Sequence, residues 1–158
     1  MRHLVRAFYL LSLFTLAGLA QAADSPKQIV DDYMAAWNAH DADKAAGYLA
    51  DDAEYFDVTV GTPQKGREAA RDNVIKVFVG AVPDLKWKMT GEPIVGEDGI
   101  SFQWNFSGTN TGDWDPKTPA TNKPLSFDGV SFIKIKDGKI VYQGDYYDAL
   151  GLHKQLGW

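Results

Sequence analysis

The chain of 158 residues contains no cysteine. Disulfide bonds are therefore excluded, and so is a lipid anchor, which in a lipoprotein requires an N-terminal cysteine. Exported small domains commonly rely on disulfides. Without them, packing alone must hold this fold together.

Positive charge is also scarce, with 16 Lys and Arg against 21 Asp and Glu. If residues 1–22 are removed, Arg2 and Arg6 are lost and 14 basic residues face 21 acidic ones, a net charge of −7. Nucleic acid and anionic membrane surfaces are poor partners for such a chain.

An apolar run long enough to anchor the chain in a membrane is missing too. Arg2, His3 and Arg6 precede a mostly apolar run from Leu4 to Leu19, and Ala20-Gln21-Ala22 has the small-x-small pattern of a signal-peptidase site. The run is short for a spanning helix. We expect residues 1–22 to be a signal peptide cleaved after Ala22, leaving one secreted or periplasmic domain, residues 23–158, without a membrane anchor.

Metal ligands are few, since only His40 and His153 follow the signal segment. A zinc site would need carboxylates from Asp41 with Asp43 or from Asp113 with Asp115, pairs that are more typical of helix caps and loops. The sequence also lacks a nucleophile elbow, a phosphate-binding loop and a dinucleotide fingerprint. We therefore predict neither a metal nor a cofactor.

Helix signals are clear in the first half of the remaining chain. Ser25 as N-cap, Pro26 at the first helical position and Gln28 three residues after the cap predict a helix start. Its apolar stripe is expected to contain Ile29, Val30, Tyr33, Met34 and Trp37.

Two more helices and a short strand follow. Asp41 is expected to cap a second helix that carries Ala45, Ala46, Tyr48 and Leu49. The strand is predicted at Glu54 to Val58. The third helix should run from about Gly66 to Val82, stop at Pro83, and bury Ala70, Val74, Val77 and Phe78.

After Pro83 the apolar period changes from 3.6 to 2, which indicates strands. Turn signals at Glu97-Asp98-Gly99 and Asp137-Gly138 divide this part into strands near 85–95, 100–110, 124–136 and 139–147. The order predicts an α+β fold, with helices packed on one face of a curved antiparallel sheet. The proline-containing segment from Thr111 to Pro124 is either a lid or mouth, or a well-packed surface loop.

Asp145 is the strongest single indication of chemistry. It lies near the end of the last predicted strand, among Tyr142, Tyr146 and Tyr147. An acid held among aromatic side chains loses the hydration that favours its charged form, so its pKa should rise toward the range useful for proton transfer. Alternatively, an aspartate at a strand end is simply solvated or caps the next helix.

Several segments together resemble the SnoaL-like polyketide cyclases of the nuclear-transport-factor-2-like superfamily. They are Tyr33 to Asp41, Ala50 to Ala53, Gly66 to Ala69, Pro83 to Leu85, Gly108 to Gly112, Asp137 to Val141 and Asp145 to Leu152. The resemblance implies a cone in which a curved sheet and three N-terminal helices enclose a pocket. That fold hosts cyclases, isomerases, dehydratases, epoxide hydrolases and non-catalytic binders.

The resemblance also implies roles for individual residues. In the polyketide cyclases an aspartate on the last strand is the general acid/base, and it corresponds to Asp145, which shares an inward face with Gln143 and Tyr147. Similarity to ketosteroid isomerases places a proton-shuttling base at Asp57 and an oxyanion-stabilising tyrosine at Tyr33. Their second oxyanion donor, an aspartate, is replaced by Ser131, a weaker donor.

We therefore expect a cavity that contains the polar residues Tyr33, Asp57, Ser131, Gln143 and Asp145. Its aromatic walls would be Trp37, Phe78, Trp87, Phe102 or Trp104, and Tyr147, although each aromatic taken alone could simply be core. Arg67 and Arg71, the only arginines after the signal segment, lie early in the third helix, so the Asp-Arg-Asp set of the epoxide hydrolases is not expected.

The predicted function is binding of a hydrophobic, polycyclic or ketone-bearing small molecule, with cofactor-free cyclase or isomerase chemistry by acid/base catalysis. The alternative is a non-catalytic ligand-binding or interaction domain. Homodimers that pair the outer sheet faces are common in this superfamily, and we expect one here, although Ser101, Gln103 and Asn105 make that face fairly polar.

Overall fold

The computed structural model describes residues 24–158, so the predicted signal peptide lies outside the described residues. The first helix, α1, is Pro26–Asn38, and the Ser25 hydroxyl caps it by accepting the backbone N–H of Gln28 at 3.2 Å. The predicted stripe is confirmed: Ile29, Val30, Tyr33, Met34 and Trp37 are all buried.

The second helix, α2, is Ala42–Ala46, and Asp41 caps it through the N–H of Lys44 at 2.9 Å. It is shorter than predicted, because Leu49 already begins the first strand, β1, which is Leu49–Asp57. β1 in turn is longer than predicted, since it pairs with strands distant in sequence. One of these, β2, is Gln64–Lys65.

The third predicted helix contains an irregularity. It consists of α3, Arg67–Ala70, a π-helical turn at Arg71–Ile75, and α4, Lys76–Ala81. A π-turn holds one residue more than an α-turn and shifts the faces that follow it. Phe78 is buried as predicted, and Ile75, which was not predicted, is buried with it, whereas Val77, predicted to be buried, is partly exposed.

The four strands predicted after Pro83 are confirmed. They are β3, Lys86–Val95; β4, Gly99–Thr109; β5, Pro124–Lys136; and β6, Lys139–Tyr147. They pair antiparallel in chain order, and β1 adds to β6 in parallel, giving the sheet order β2-β1-β6-β5-β4-β3.

A C-terminal helix that was not predicted, α5, is Ala149–Leu156. Asp148 caps it by accepting the N–H of Gly151 at 2.8 Å, and Gly157 ends it with a φ of 86°. Leu152 and Leu156 pack into the core. Among the helices of residues 24–158, none combines the length and apolarity needed to span a membrane.

The helices and the curved sheet enclose an aromatic core, and the predicted α+β fold class is confirmed. Buried polar side chains in the described part of the chain are few: Asp57, Asn110, Ser131, Gln143 and Asp145. All but Asn110 lie on the strands β1, β5 and β6, which neighbour one another in the sheet.

Candidate functional site

The site is built on rows of residues that face one another across the sheet. Asp57 pairs with Asp145, and Asp145 pairs with Ser131. In the next row Tyr55 pairs with Gln143. Because directly opposite residues project from the same face, the pairing register alone brings two carboxylates together with their hydrogen-bond donors.

Asp145 receives its hydrogen bonds from three strands. Ser131 Oγ donates to Oδ1 at 2.5 Å, Tyr55 OH donates to Oδ2 at 2.6 Å, and Gln143 Nε2 lies 2.9 Å from Oδ2. The residue is only 5% exposed. Burial raises the pKa of Asp145 to about 7, opposed by the hydrogen bonds from Ser131 and Tyr55, while the nearby Asp57 raises it further.

Asp57 is 3% exposed and is held differently. Its Oδ1 accepts the N–H of Thr59 at 2.8 Å, the Thr59 hydroxyl at 2.6 Å and the N–H of Val60 at 3.2 Å. The Tyr147 hydroxyl reaches both carboxylate oxygens, at 3.0 and 3.1 Å. Burial raises the pKa of Asp57, and the bonds from Thr59, Val60 and Tyr147 oppose that rise.

Both carboxylates reach a common apolar cavity, which we call the inner cavity. Its walls are Trp37, Tyr55, Asp57, Phe78, Trp87, Trp104, Phe106, Phe127, Asp145 and Tyr147. Its volume is only about 20 Å³, room for about one water molecule. The aromatic side chains nearly fill the space in front of the two carboxylates.

Seven of the predicted site residues line this cavity: Asp57, Asp145, Trp37, Phe78, Trp87, Trp104 and Tyr147. Three further residues of the wall were not predicted: Tyr55, Phe106 and Phe127. Tyr55 could have been found, because alternation along β1 places Ala53, Tyr55 and Asp57 on one buried face. Phe102 is buried beside Trp87, with ring centroids 6.1 Å apart, but Trp104 is the one of the two that reaches the cavity.

Ser131 and Gln143 lie behind Asp145 and do not line the cavity. The Ser131 hydroxyl accepts a hydrogen bond from the indole N–H of Trp104 at 2.8 Å and donates its own O–H to Asp145. Gly129 makes this possible, because a Cβ there would lie 2.4 Å from the Trp104 ring. Ser131 therefore positions the carboxylate from behind.

Tyr33 is fully buried and does not line the cavity. Its hydroxyl has no hydrogen-bond partner among the described residues, and burial raises its pKa. Tyr55 is the tyrosine that bonds directly to Asp145. The Trp37 indole N–H and the Gln143 Oε1 are also buried without partners, so the polar groups behind Tyr55 are incompletely satisfied.

A second pocket, which we call the outer pocket, has a volume of about 200 Å³. Its walls are Thr59, Val60, Val77, Phe78, Trp114, Asp115, Thr118, Leu152, His153 and Trp158. Trp114 and Trp158 have ring centroids 6.1 Å apart, and His153 lies 5.3 Å from Trp158. The missed helix α5 and the proline-containing segment thus form a large part of this pocket.

The segment from Thr111 to Pro124, predicted to be either a lid or a packed loop, is anchored to α4. The N–H of Gly112 donates to Ala81 O at 3.1 Å, and buried Asn110 donates to the same oxygen at 2.9 Å. Thr121 bonds back to Asn110 Oδ1 at 2.8 Å. The segment is therefore a packed loop that forms one wall of the outer pocket.

Arg67 and Arg71 do not line the inner cavity or the outer pocket. Arg67 pairs with Asp51 at 2.7 Å, and Arg71 pairs with Asp72 at 2.9 Å, away from the two carboxylates. Across residues 24–158, no three His, Cys, Asp or Glu side chains come together as metal ligands would.

Comparison with known proteins places this geometry in a family. The sequence model of the SnoaL-like domain matches residues 30–143. No curated protein matches the chain.

Three solved structures illustrate the similarity. TsrD from Streptomyces laurentii is 26% identical over 83% of this chain and 93% of its own, with a TM-score of 0.69. IdmH from Streptomyces antibioticus, a proposed polyketide cyclase, is 21% identical over 84% of this chain and 99% of its own, with a TM-score of 0.69. A protein with a ketosteroid isomerase-like fold from Catenulispora acidiphila, in complex with trimethylamine, is 19% identical over 85% of this chain and 95% of its own, with a TM-score of 0.69.

Proposed function

The chain belongs to the SnoaL-like domain family, and on that premise we propose that it binds an apolar, ketone-bearing or polycyclic small molecule and performs acid/base chemistry on it. The family and the fold together support a small-molecule-binding or cyclase role. The observation that supports acid/base chemistry is a buried carboxyl group with a pKa of about 7, that of Asp145, on the wall of an apolar cavity.

Asp145 is the proposed base. Its ionised form is held by donors from Ser131, Tyr55 and Gln143, and a pKa near 7 lets it both take and return a proton at neutral pH. A ligand C–H bond next to a carbonyl breaks, the proton moves to a carboxylate oxygen of Asp145, and the electron pair is left as an enolate.

The enolate oxygen needs a donor, and two groups on the same cavity wall that can supply one are Tyr147 and the protonated form of Asp57. Burial raises the pKa of Asp57, which favours this protonated form. In a β,γ-unsaturated ketone the resulting dienolate takes the proton back from Asp145 at its γ-carbon, an isomerisation. In a ligand with a second carbonyl the enolate carbon attacks that carbonyl carbon, and the alkoxide formed takes the proton from Asp145, an aldol closure.

The test needs no knowledge of the natural substrate. We would incubate the protein with 2-tetralone, a bicyclic ketone, in D2O and follow the loss of its α-proton signals by NMR. The expected result is accelerated exchange whose rate rises with pH through about 7, as Asp145 ionises. Asp145→Asn should lose the acceleration, while Asp137→Asn, at an exposed turn, should keep it.

Equal exchange with wild type and Asp145→Asn would contradict catalysis. The alternative is a non-catalytic binding protein, and the small inner cavity of about 20 Å³ favours it, because a nearly filled site resembles a core. That alternative predicts ligand affinity unchanged in Asp145→Asn.

We also propose that the protein is exported to a secreted or periplasmic location. The support is the basic start, the apolar run and the Ala20-Gln21-Ala22 site. Intact mass of the exported protein should correspond to a chain starting at Ala23. A start well away from Ala23 would contradict the proposal.

A homodimer through the outer sheet face is proposed as well. Phe132 and Tyr146 are 50% and 40% exposed there, with ring centroids 6.0 Å apart, and Phe56 lies 5.5 Å from Tyr146. Such a patch favours a covering partner. Light scattering at tens of micromolar should show a dimer that Phe132→Lys dissociates, and a monomeric wild type would contradict it.

A further inference from the structure

The inner cavity and the outer pocket share one wall, the ring of Phe78. On one side Phe78 meets Phe106, with ring centroids 5.7 Å apart. On the other it meets Trp114, with centroids 5.2 Å apart. Both contacts are edge-to-face. Phe78 is the residue common to the walls of the two spaces, one of about 20 Å³ and the other of about 200 Å³.

We infer that the outer pocket binds the planar apolar body of the ligand and that the Phe78 ring is the gate through which the reacting group of that ligand enters the inner cavity. This inference rests on the proposed function and adds to it the place and shape of the ligand. It also assigns a binding role to Trp114, Trp158 and Val77.

The volumes support this assignment. The inner cavity has room for about one water molecule, whereas an apolar cavity of about 150 Å³ is enough to bind benzene. The outer pocket, at about 200 Å³, exceeds that size. A ring system therefore fits the outer pocket, and only a small polar group fits beside the carboxylates until Phe78 moves.

The chemistry of the walls selects a flat, weakly polar molecule. Trp114 and Trp158 offer aromatic surface, and Val60, Val77 and Leu152 offer aliphatic surface. The indole N–H of Trp114 is buried without a hydrogen-bond partner among the described residues, so a ligand oxygen within reach of it would satisfy an otherwise costly group.

Phe78 is a better gate than the loop that carries Trp114. The loop is tied to α4 at Ala81 O by Gly112 and by buried Asn110. Phe78 instead projects from the first turn after the π-helical segment Arg71–Ile75, and such irregular turns are frequent at functional sites. Rotation of one side chain joins the two spaces without breaking the hydrogen bonds of the loop.

Thr59 lies between the outer pocket and the buried carboxylate of Asp57. It lines the outer pocket, donates its hydroxyl to Asp57 Oδ1 at 2.6 Å and lies 2.7 Å from the Tyr147 hydroxyl. A ligand seated against Thr59 is thus one side chain away from both Asp57 and Tyr147.

The experiment measures binding of 2-naphthol, a flat bicyclic phenol, to the full folded chain by calorimetry. Val77→Trp fills the outer pocket from a partly exposed position and should raise Kd more than tenfold. Trp158→Ala removes one wall and should raise Kd several-fold. The matched control is Tyr146→Ala, an exposed aromatic on the outer sheet face, which should leave Kd unchanged.

The gate is tested by Phe78→Leu, which keeps an apolar side chain but opens the partition. Stopped-flow tryptophan fluorescence of 2-naphthol binding should show two phases, seating in the outer pocket and then entry of the hydroxyl group past Phe78 toward Trp37, Trp87 and Trp104. Phe78→Leu should speed the second phase by about tenfold, with circular dichroism confirming the fold. Kd unchanged in both Val77→Trp and Trp158→Ala would overturn the outer-pocket assignment, and a second phase that is absent in wild type or unchanged in Phe78→Leu would overturn the gate.

The two proposals fail in different ways. If exchange of 2-tetralone depends on Asp145 while Val77→Trp binds normally, the proposed chemistry stands and the outer-pocket inference is wrong. If Val77→Trp abolishes 2-naphthol binding while Asp145→Asn exchanges 2-tetralone as fast as wild type, the pocket binds ligand and the catalytic proposal is wrong.

Discussion

Asp57 and Asp145 lie directly opposite each other in the sheet, are almost equally buried, and face the same cavity, yet they are held in opposite ways. Asp57 takes most of its hydrogen bonds from the turn that follows it, from Thr59 and Val60. Asp145 takes bonds from Tyr55 and Ser131, which are 90 and 14 residues away.

The difference teaches that a local turn can keep a carboxylate in place even if the rest of the site changes, whereas a carboxylate held by three strands depends on the register of the whole sheet. The raised pKa has a common cause in both, which is burial. The opposing hydrogen bonds differ in origin, so substitutions should separate the two groups.

The largest expected effect is on turnover. If Asp145 is the base, Asp145→Asn should lower the exchange rate of 2-tetralone by about two to four orders of magnitude with the fold intact. Asp57→Asn should be the more damaging change if the chemistry is isomerase-like, with Asp57 as the shuttle. Measuring kcat for both variants decides which carboxylate takes the proton, and a loss below tenfold in both would contradict acid/base catalysis by this pair.

The next effect is on stability. The pKa of Asp145 is about 7 in the folded protein, above the ordinary aspartate value, so the folded state binds this proton more tightly than the unfolded state does. The free energy of unfolding should therefore fall as pH rises from about 4 to about 7, by up to about 1.4 kcal/mol per pH unit for one such group.

Denaturant unfolding across this pH range checks that sign. Asp145→Asn should remove its part of the slope, so that it gains stability relative to wild type as pH rises toward 7. Part of the slope should remain, because the raised pKa of Asp57 acts in the same direction. Parallel curves for wild type and Asp145→Asn would show that burial of Asp145 has no energetic cost.

Smaller effects are expected from Tyr55 and Tyr147, each on the pKa of a different carboxyl group. Tyr55→Phe removes a donor to the ionised form of Asp145, so the pKa of Asp145 should rise further, and stability should fall by about 1 kcal/mol. Tyr147→Phe removes a donor to Asp57 and should raise the pKa of Asp57. Carboxyl NMR titration of both variants measures this, and equal shifts of both carboxyls in both variants would contradict the separation.

The smallest effect should come from the local turn. Thr59→Val removes the hydroxyl donor to Asp57 but keeps the backbone N–H bonds, so stability should fall by about 1 kcal/mol or less and the pKa of Asp145 should hardly change. Thr62→Val, in the neighbouring exposed stretch, is the control. A large shift of the Asp145 titration in Thr59→Val would show that the turn supports both groups.

Most of the elements could be predicted because their signals are local. The Ser25 cap, the helical stripe of α1 and the turns at Asp98-Gly99 and Asp137-Gly138 depend on neighbours within a few residues. The extent of β1 and the π-helical turn were not predictable in this way. β1 is extended by its pairing with β6 and β2, and the π-turn changed which face of the helix Val77 occupies.

The sequence by itself determined the composition of the site: an aspartate at the end of β1, another on β6, and enough aromatic residues to surround them. Only the tertiary structure decided that Tyr55 rather than Tyr33 bonds to Asp145, that Ser131 lies behind it, and that Phe78 separates two spaces. Alternation along a strand says which residues share a face, but pairing register and side-chain packing decide which of them touch.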